Sequence, residues 1–188
     1  MVFRRKRSMG YRVVKEGKHQ EMDKTETVGI GLADDMRIVS IAVSRKKGTP
    51  KSTVTEAHLL RDHGLKGDAH AGPWHRQVSF LGAERIDDAR NQGLDVAFGS
   101  FAENIATRGL DWKGVLVGTR MHIGESALVE ITQKGKECHN RCAIYYQAGD
   151  CIMPREGIFG RVIKGGEVRA GAPVRILHKS QGTKSNDL

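Results

Sequence analysis

Apolar positions along this chain recur in short runs separated by glycine and polar clusters, and the pattern begins abruptly. Residues 1–36 carry no sustained period and few large apolar side chains, so they are read as an N-terminal tail. From Arg37 onward, Ile38, Val39, Ile41, Ala42 and Val43 form a β-prone run that ends in the basic loop 45–51. Residues 53–60 predict a second strand and residues 77–81 a third. Between them Gly64, Gly67 and Gly72 punctuate a long loop that carries His63, Asp68, His70 and His75. Ile86, Ala89 and Arg90 stand at helical spacing, with Gly93 as a stop, which predicts a helix over 83–91. Residues 101–107 read as strand or irregular chain, and 115–118 lead into 120–124. A strong strand follows over 127–132, then a short helix over 138–148, closing strands over 158–163 and 174–177, and a polar C-terminal tail over 178–188. Many short strands, glycine turns and two short helices predict a mainly β domain over 37–177, closed as a β-barrel.

Composition narrows the function classes. Glycine is abundant at 23 residues and aromatics are scarce at 5%, which suits tight turns and gives few platforms for stacking nucleic-acid bases. The net charge is +9. Part of it is a cluster, Arg4, Arg5, Lys6, Arg7, Arg12, Lys15 and Lys18, in the tail, and the rest is dispersed. A dispersed positive field favours anionic ligands in general and argues against a dedicated nucleic-acid interface. No apolar run approaches the roughly 20 residues a membrane helix needs, and the N-terminus lacks the apolar stretch of a signal peptide. A cytoplasmic protein with no membrane role is the expectation. The 3 cysteines do not make a disulfide framework in that compartment, which leaves free, metal-binding or catalytic thiols.

The sharpest local feature is Gly135-Lys136-Glu137-Cys138-His139-Asn140-Arg141-Cys142, directly after the strong strand. Lys136, His139 and Arg141 flank Cys138, and cations favour the thiolate, which is the nucleophile and the metal ligand. An inert loop cysteine fits the same spacing. Cys138, Cys142 and Cys151 with His139 fit a zinc site only loosely, because a second close pair is missing. Asp68 and His70 lie two apart, so an extended chain turns them the same way, and a carboxylate beside an imidazole orients it as base or ligand. An ordered turn in which Asp68 satisfies backbone N–H groups fits equally. No phosphate loop, dinucleotide fingerprint or lysine site for pyridoxal phosphate is identifiable.

Several segments, in order, resemble one family. Gly64-Leu-Lys-Gly-Asp-Ala-His-Ala-Gly72 with Arg76-Gln-Val-Ser-Phe-Leu81, then Gly99-Ser-Phe-Ala-Glu-Asn-Ile105, Val117-Gly-Thr-Arg-Met-His-Ile-Gly124, the stretch from Leu128 to Cys138, and Gly157-Ile-Phe-Gly-Arg-Val162 are similar to the signatures of MOSC domains. The name denotes the C-terminal domain of molybdenum cofactor sulfurase. The resemblance spans about residues 37–177 and implies a MOSC-type β-barrel with a few short helices. It implies Cys138 as the central thiol, a sulfur or molybdenum ligand. Molybdenum cofactor or molybdate is the implied ligand.

The resemblance implies a small stand-alone sulfur carrier. Cys138 would take sulfur as a persulfide from a cysteine desulfurase and pass it to a molybdenum or tungsten cofactor or a molybdoenzyme. Cys142 would resolve the persulfide, releasing sulfide and leaving a disulfide. His70 and Asp68 would line the pocket. Glu103, Asn104, His139 and Arg161 would contact a polar or anionic cofactor. Two alternatives stand beside it. One is a molybdenum-cofactor oxidoreductase acting on N-hydroxylated compounds, with Cys138 on the metal. The other is a non-catalytic module that binds a pterin or an oxoanion.

Overall fold

The computed structural model describes residues 36–137, 145–146 and 149–177. Among the described residues the elements follow one another in the order β1 (Arg37–Val43), β2 (Ser52–Val54), β3 (Glu56–Leu60), β4 (Gly64–Leu65), β5 (Val78–Gly82), α1 (Ala83–Asn91), β6 (Ile105–Arg108), β7 (Arg120–Ile123), β8 (Ala127–Lys134), α2 (Met153–Glu156), β9 (Ile158–Lys164), β10 (Gly166–Arg169) and β11 (Val174–Leu177). The chain is mainly β, as the pattern implies.

Along β8 the burial alternates with the pleat, so Ala127, Val129 and Ile131 face the core while Leu128, Glu130 and Thr132 face outward. β5 departs from alternation and is buried along its whole length. It is covered on both faces: Val78 and Phe80 enter the larger core with Ile105, while Leu81 enters a smaller one with Ala106, Ile86, Phe101 and Phe159. Successive side chains of a strand point to opposite faces, so β5 and β6 divide the two cores. α1 closes the smaller core with Ile86 and Ala89, the periodic positions seen in the sequence.

The strands form an eight-stranded sheet, β11-β7-β8-β9-β5-β6-β1-β2, and a three-stranded sheet, β10-β3-β4. β5 and β6 are parallel, and the other pairings are antiparallel. Among the described residues no continuous ladder closes the larger sheet into the expected barrel. β1 pairs with β6 along one edge; on the other it meets the chain before β11 only at the isolated bridge Arg37↔Pro173. Ile38 N there donates to Ala172 O and Val174 N donates to Met36 O, both at 2.8 Å. From Ile41 onward β2 pairs with β1 instead, so the ladder to β11 stops there.

Other local differences have plain causes. The expected second strand breaks at Thr55 into β2 and β3, which join different sheets. The expected lead-in at 115–118 gives way to a turn over 116–119, closed by Thr119 N donating to Leu116 O at 3.1 Å. β10, β4 and α2 are too short for a periodic signal. The expected helix over 138–148 lies outside the described residues except at Tyr145 and Tyr146, which are helical.

Candidate functional site

Two loops, the one between β1 and β2 and the one between β4 and β5, meet around Asp68. Gly64 (φ +112°) opens the loop that carries it, and a Cβ there would stand 2.1 Å from Gln77 O, so only glycine fits. The loop is stapled to the end of β1: Ala69 N donates to Ser44 O at 2.7 Å, and Ser44 N donates to Asp68 Oδ2 at 3.0 Å. Lys51, just before β2, places Nζ 2.5 Å from the same oxygen. His70 N donates to Asp68 Oδ1 at 2.9 Å, and His70 Nδ1 lies 3.3 Å from Lys51 Nζ. The Lys51 and Asp68 side chains are buried, and His70 is part-exposed.

Burial alone would raise the Asp68 carboxyl. Hydrogen bonds with His70 and Lys51, the Lys51 charge and the Ser44 amide outweigh it and hold Asp68 well below the usual carboxylate range. Burial pushes Lys51 down against the pull of Asp68. A pair this deep is held together less by net attraction than by the cost of leaving either charge unmatched.

Glu103 is buried in the neighbouring turn. Its Oε1 accepts the Gly99 N–H at 2.5 Å, and its Oε2 has no partner. Burial pushes its carboxyl up to about 7 against the Gly99, Glu103 and Phe101 amides and the Lys51 charge. Lys51 N in turn donates to Gly99 O at 2.8 Å, so the two carboxylate environments share a wall. Ala102, in the same turn, holds φ at +62°, a conformation that costs an L-residue about 1 kcal/mol. Asn104 spends its amide on the frame: Oδ1 accepts from Ser79 N at 3.1 Å and Ser79 Oγ at 3.0 Å, and Nδ2 donates to Ala42 O at 3.1 Å.

A cavity of about 260 Å³ lies against these turns, lined by His70, Trp74, Arg76, Ser79, Phe101, Asn104, Lys136, Glu137, Met153 and Phe159 among others. Arg76, Lys136 and Glu137 also border an adjoining open groove with His75 and Lys134. The Arg76 guanidinium carbon stands 4.8 Å from the Trp74 ring centre and 5.6 Å from that of Phe159. Such rings hold a cation by their quadrupole. Arg76 Nε is buried without a hydrogen-bond partner, and no carboxylate among the described residues forms an ion pair with the guanidinium. Arg76 is thus a fixed cation at the cavity with unused donor capacity.

The structure brings Asp68, His70, Glu103 and Asn104 together, with His70 and Asn104 on the cavity wall. Arg161 stands apart: it is exposed and donates to Glu130 Oε1 at 2.8 Å, across the β8–β9 register. Cys138, Cys142 and His139 lie outside the described residues, while Lys136 and Glu137, which lead into Cys138, sit on the rim. Among the described residues no cluster of His, Cys, Asp and Glu could hold a metal ion, and no helix is long and apolar enough to cross a membrane. Sequence reading missed Lys51 and Arg76. Lys51 sits in a basic loop without periodic signal, and Arg76 stands just ahead of the apolar run 78–81 with no local partner to mark it.

The MOSC domain family model matches residues 66–175. The fold is similar to three solved structures. YiiM from Escherichia coli is 25% identical, with a TM-score of 0.55, covering 77% of this chain and 71% of its own. YiiM from Geobacillus stearothermophilus is 22% identical, with a TM-score of 0.60, over 78% and 77%. The YuaD protein from Bacillus subtilis is 15% identical, with a TM-score of 0.62, over 77% and 97%. No curated protein matches the sequence.

Proposed function

Since the chain belongs to the MOSC domain family, which is linked to molybdenum-cofactor proteins, we propose that its cavity receives the anionic end of a molybdenum-type cofactor and that Cys138 offers its thiolate to the metal. The observation that carries this reading is Arg76, held between Trp74 and Phe159 with a buried, unpartnered Nε. A buried donor without an acceptor costs roughly 1–3 kcal/mol, which an oxoanion or phosphate would relieve. The residues fit the anionic part of such a group. Its metal would depend on the thiol, since the described residues supply no cluster of their own. A soft thiolate is a suitable ligand for that metal.

When bound, the cofactor would supply two-electron redox or sulfur chemistry. The chain's own residues bind and orient it. Arg76 pairs with the anion, Trp74 and Phe159 keep water from the guanidinium, and Lys136 adds positive charge at the rim. Asp68 and Asn104 keep the wall in place through Ser44, His70 and Ser79. Arg161 is left out of the binding set because it is paired with Glu130 and does not line the cavity.

Sulfur carriage through Cys138 is the second reading, favoured by the rim residues immediately before it, part-exposed Lys136 and exposed Glu137, which a donor such as a cysteine desulfurase can reach. One pair of measurements separates the two. Full chain purified from cells that make the cofactor is expected to hold near-stoichiometric molybdenum, lost in Cys138→Ser. Absence of molybdenum, together with a reductant-sensitive gain of one sulfur atom after incubation with cysteine and an active desulfurase, would replace cofactor binding with carriage.

A further inference from the structure

Lys51, Asp68 and His70 form a chain of contacts that starts in the interior and ends at the cavity. The Lys51 side chain is 1% exposed and that of Asp68 0%, whereas that of His70 is 29% exposed and lines the cavity. His70 is fixed at several points: its N–H by Asp68 Oδ1, its carbonyl by Trp74 Nε1 at 2.8 Å, and its Nδ1 between Lys51 Nζ at 3.3 Å and Asp68 Oδ1 at 3.4 Å. An ammonium has protons and no lone pair. Nδ1 therefore sits between a donor and an acceptor: with the Lys51 contact made, Nδ1 is bare and the ring proton is on Nε2, and with the Asp68 contact made, Nδ1 carries the proton. In the first arrangement Nε2–H is the donor left for the cavity.

We propose that Lys51 and His70 are a proton relay into the cavity, with Asp68 as its positioning residue. A bound acceptor takes the Nε2 proton while Nδ1 takes one from Lys51 Nζ. The bond at Nε2 breaks as the bond to the acceptor forms, and the bond at Nζ breaks as the one at Nδ1 forms. The imidazole stays neutral and exchanges one tautomer for the other. Lys51 becomes a neutral amine, and Asp68 keeps its charge. One proton moves from the buried ammonium to the ligand, and no electrons move. After the ligand leaves, a solvent proton returns to Lys51 by the same path.

Two features of the surroundings suit this role. Burial lowers the hold of Lys51 on its proton. Asp68 Oδ1, already beside Nδ1, is placed to accept the new Nδ1–H. The other charged groups facing the relay are Glu103, which acts on Lys51 through its charge, and Arg76, Lys136 and Glu137, which share the cavity with His70. The relay suits a step that consumes a proton at the bound group, such as departure of an oxygen or sulfur atom. It rests on the cavity being the binding site.

The test is histidine 15N NMR on the full chain at about pH 8, above the ordinary imidazole range, with His70 assigned by loss of its signals in His70→Gln. The wild type is expected to show a bare Nδ1 and a protonated Nε2. Lys51→Met is expected to flip the ring to Nδ1–H, held by Asp68. Lys51→Arg is expected to restore the wild-type tautomer, which a merely structural lysine would not require. An Nδ1–H ring in the wild type, or the same tautomer in Lys51→Met as in the wild type, overturns the relay. Should Lys51→Met not fold, the wild type and Lys51→Arg decide.

A second arm reads the transfer. Inorganic phosphate, whose second ionisation lies near that of imidazole, is expected to move the wild-type ring toward Nδ1–H. Lys51→Arg should stay unchanged, because a guanidinium keeps its protons. An unmoved wild-type ring with phosphate bound overturns the relay. Absence of phosphate binding counts against the cavity reading, while the first arm, which needs no ligand, still decides the proton arrangement.

Discussion

Asp68 and Glu103 are both buried carboxylates within reach of Lys51, and they have opposite characters. Asp68 meets an ammonium, an imidazole and two amides, and stays ionised far below the ordinary range. Glu103 meets amides on one oxygen, keeps the other unpartnered, and is pushed up to about 7. Burial is common to both, so it does not set the charge of either. What differs is the number of donors that converge on each. Asp68 is a permanent anion that fixes Lys51 and His70, and Glu103 is an acid poised to titrate near neutral pH that holds the Gly99 turn.

The sharpest way to break this comparison is to neutralise each in turn. Asp68→Asn strands the Lys51 ammonium in the interior and is expected to cost about 3 kcal/mol or more, read as a fall in the guanidinium chloride midpoint. Glu103→Gln at about pH 5.5 should cost about 1 kcal/mol, because below its value of about 7 the carboxyl is mostly neutral and the amide that replaces it can still accept from Gly99. Equal losses would erase the distinction.

The pH dependence of stability follows with the opposite sign for each group. Glu103 has a folded value of about 7 against an ordinary 4.5, so its contribution is complete below pH 4.5 and is lost as pH rises through about 7. The loss is at most about 3 kcal/mol. Asp68 is depressed, so its contribution is present above its ordinary 3.8 and is lost as pH falls below that value. Denaturant midpoints between about pH 5 and 8 should therefore decline in the wild type and stay flat in Glu103→Gln. A flat wild-type profile would mean that Glu103 is ionised throughout.

The smallest stability effect is expected at Arg76. Arg76→Met loses two ring contacts worth about 1 kcal/mol together, but removes an unpartnered buried donor and leaves an apolar chain beside Trp74 and Phe159. The melting midpoint should barely move. A large loss would make Arg76 part of the frame instead of the site.

Much of the fold was legible because its signals are local. The run beginning at Ile38 became β1, the spacing of Ile86 and Ala89 became the buried face of α1, and the strong strand became β8. The nearness of Asp68 to His70 was legible in their two-residue spacing, and so was a turn in which Asp68 accepts backbone N–H groups, which prove to be those of Ser44 and His70. What escaped depends on distant contacts. The Asn104 amide binds Ser79 and Ala42, 25 and 62 residues away, so its use in the frame has no local trace. Arg161 is taken by Glu130 through a cross-strand pairing that becomes visible only once the β8–β9 register is known. Lys51 and Arg76 acquire meaning only from the carboxylate and the rings that the fold brings to them.

The central claim is that the cavity is an anion site built on Arg76, and calorimetric titration of the full chain with inorganic phosphate tests it most directly. The account predicts saturable binding in the wild type, weakened about 10- to 100-fold in Arg76→Met and retained in Cys138→Ser. Equal binding in the wild type and Arg76→Met, or no binding in the wild type, would contradict it.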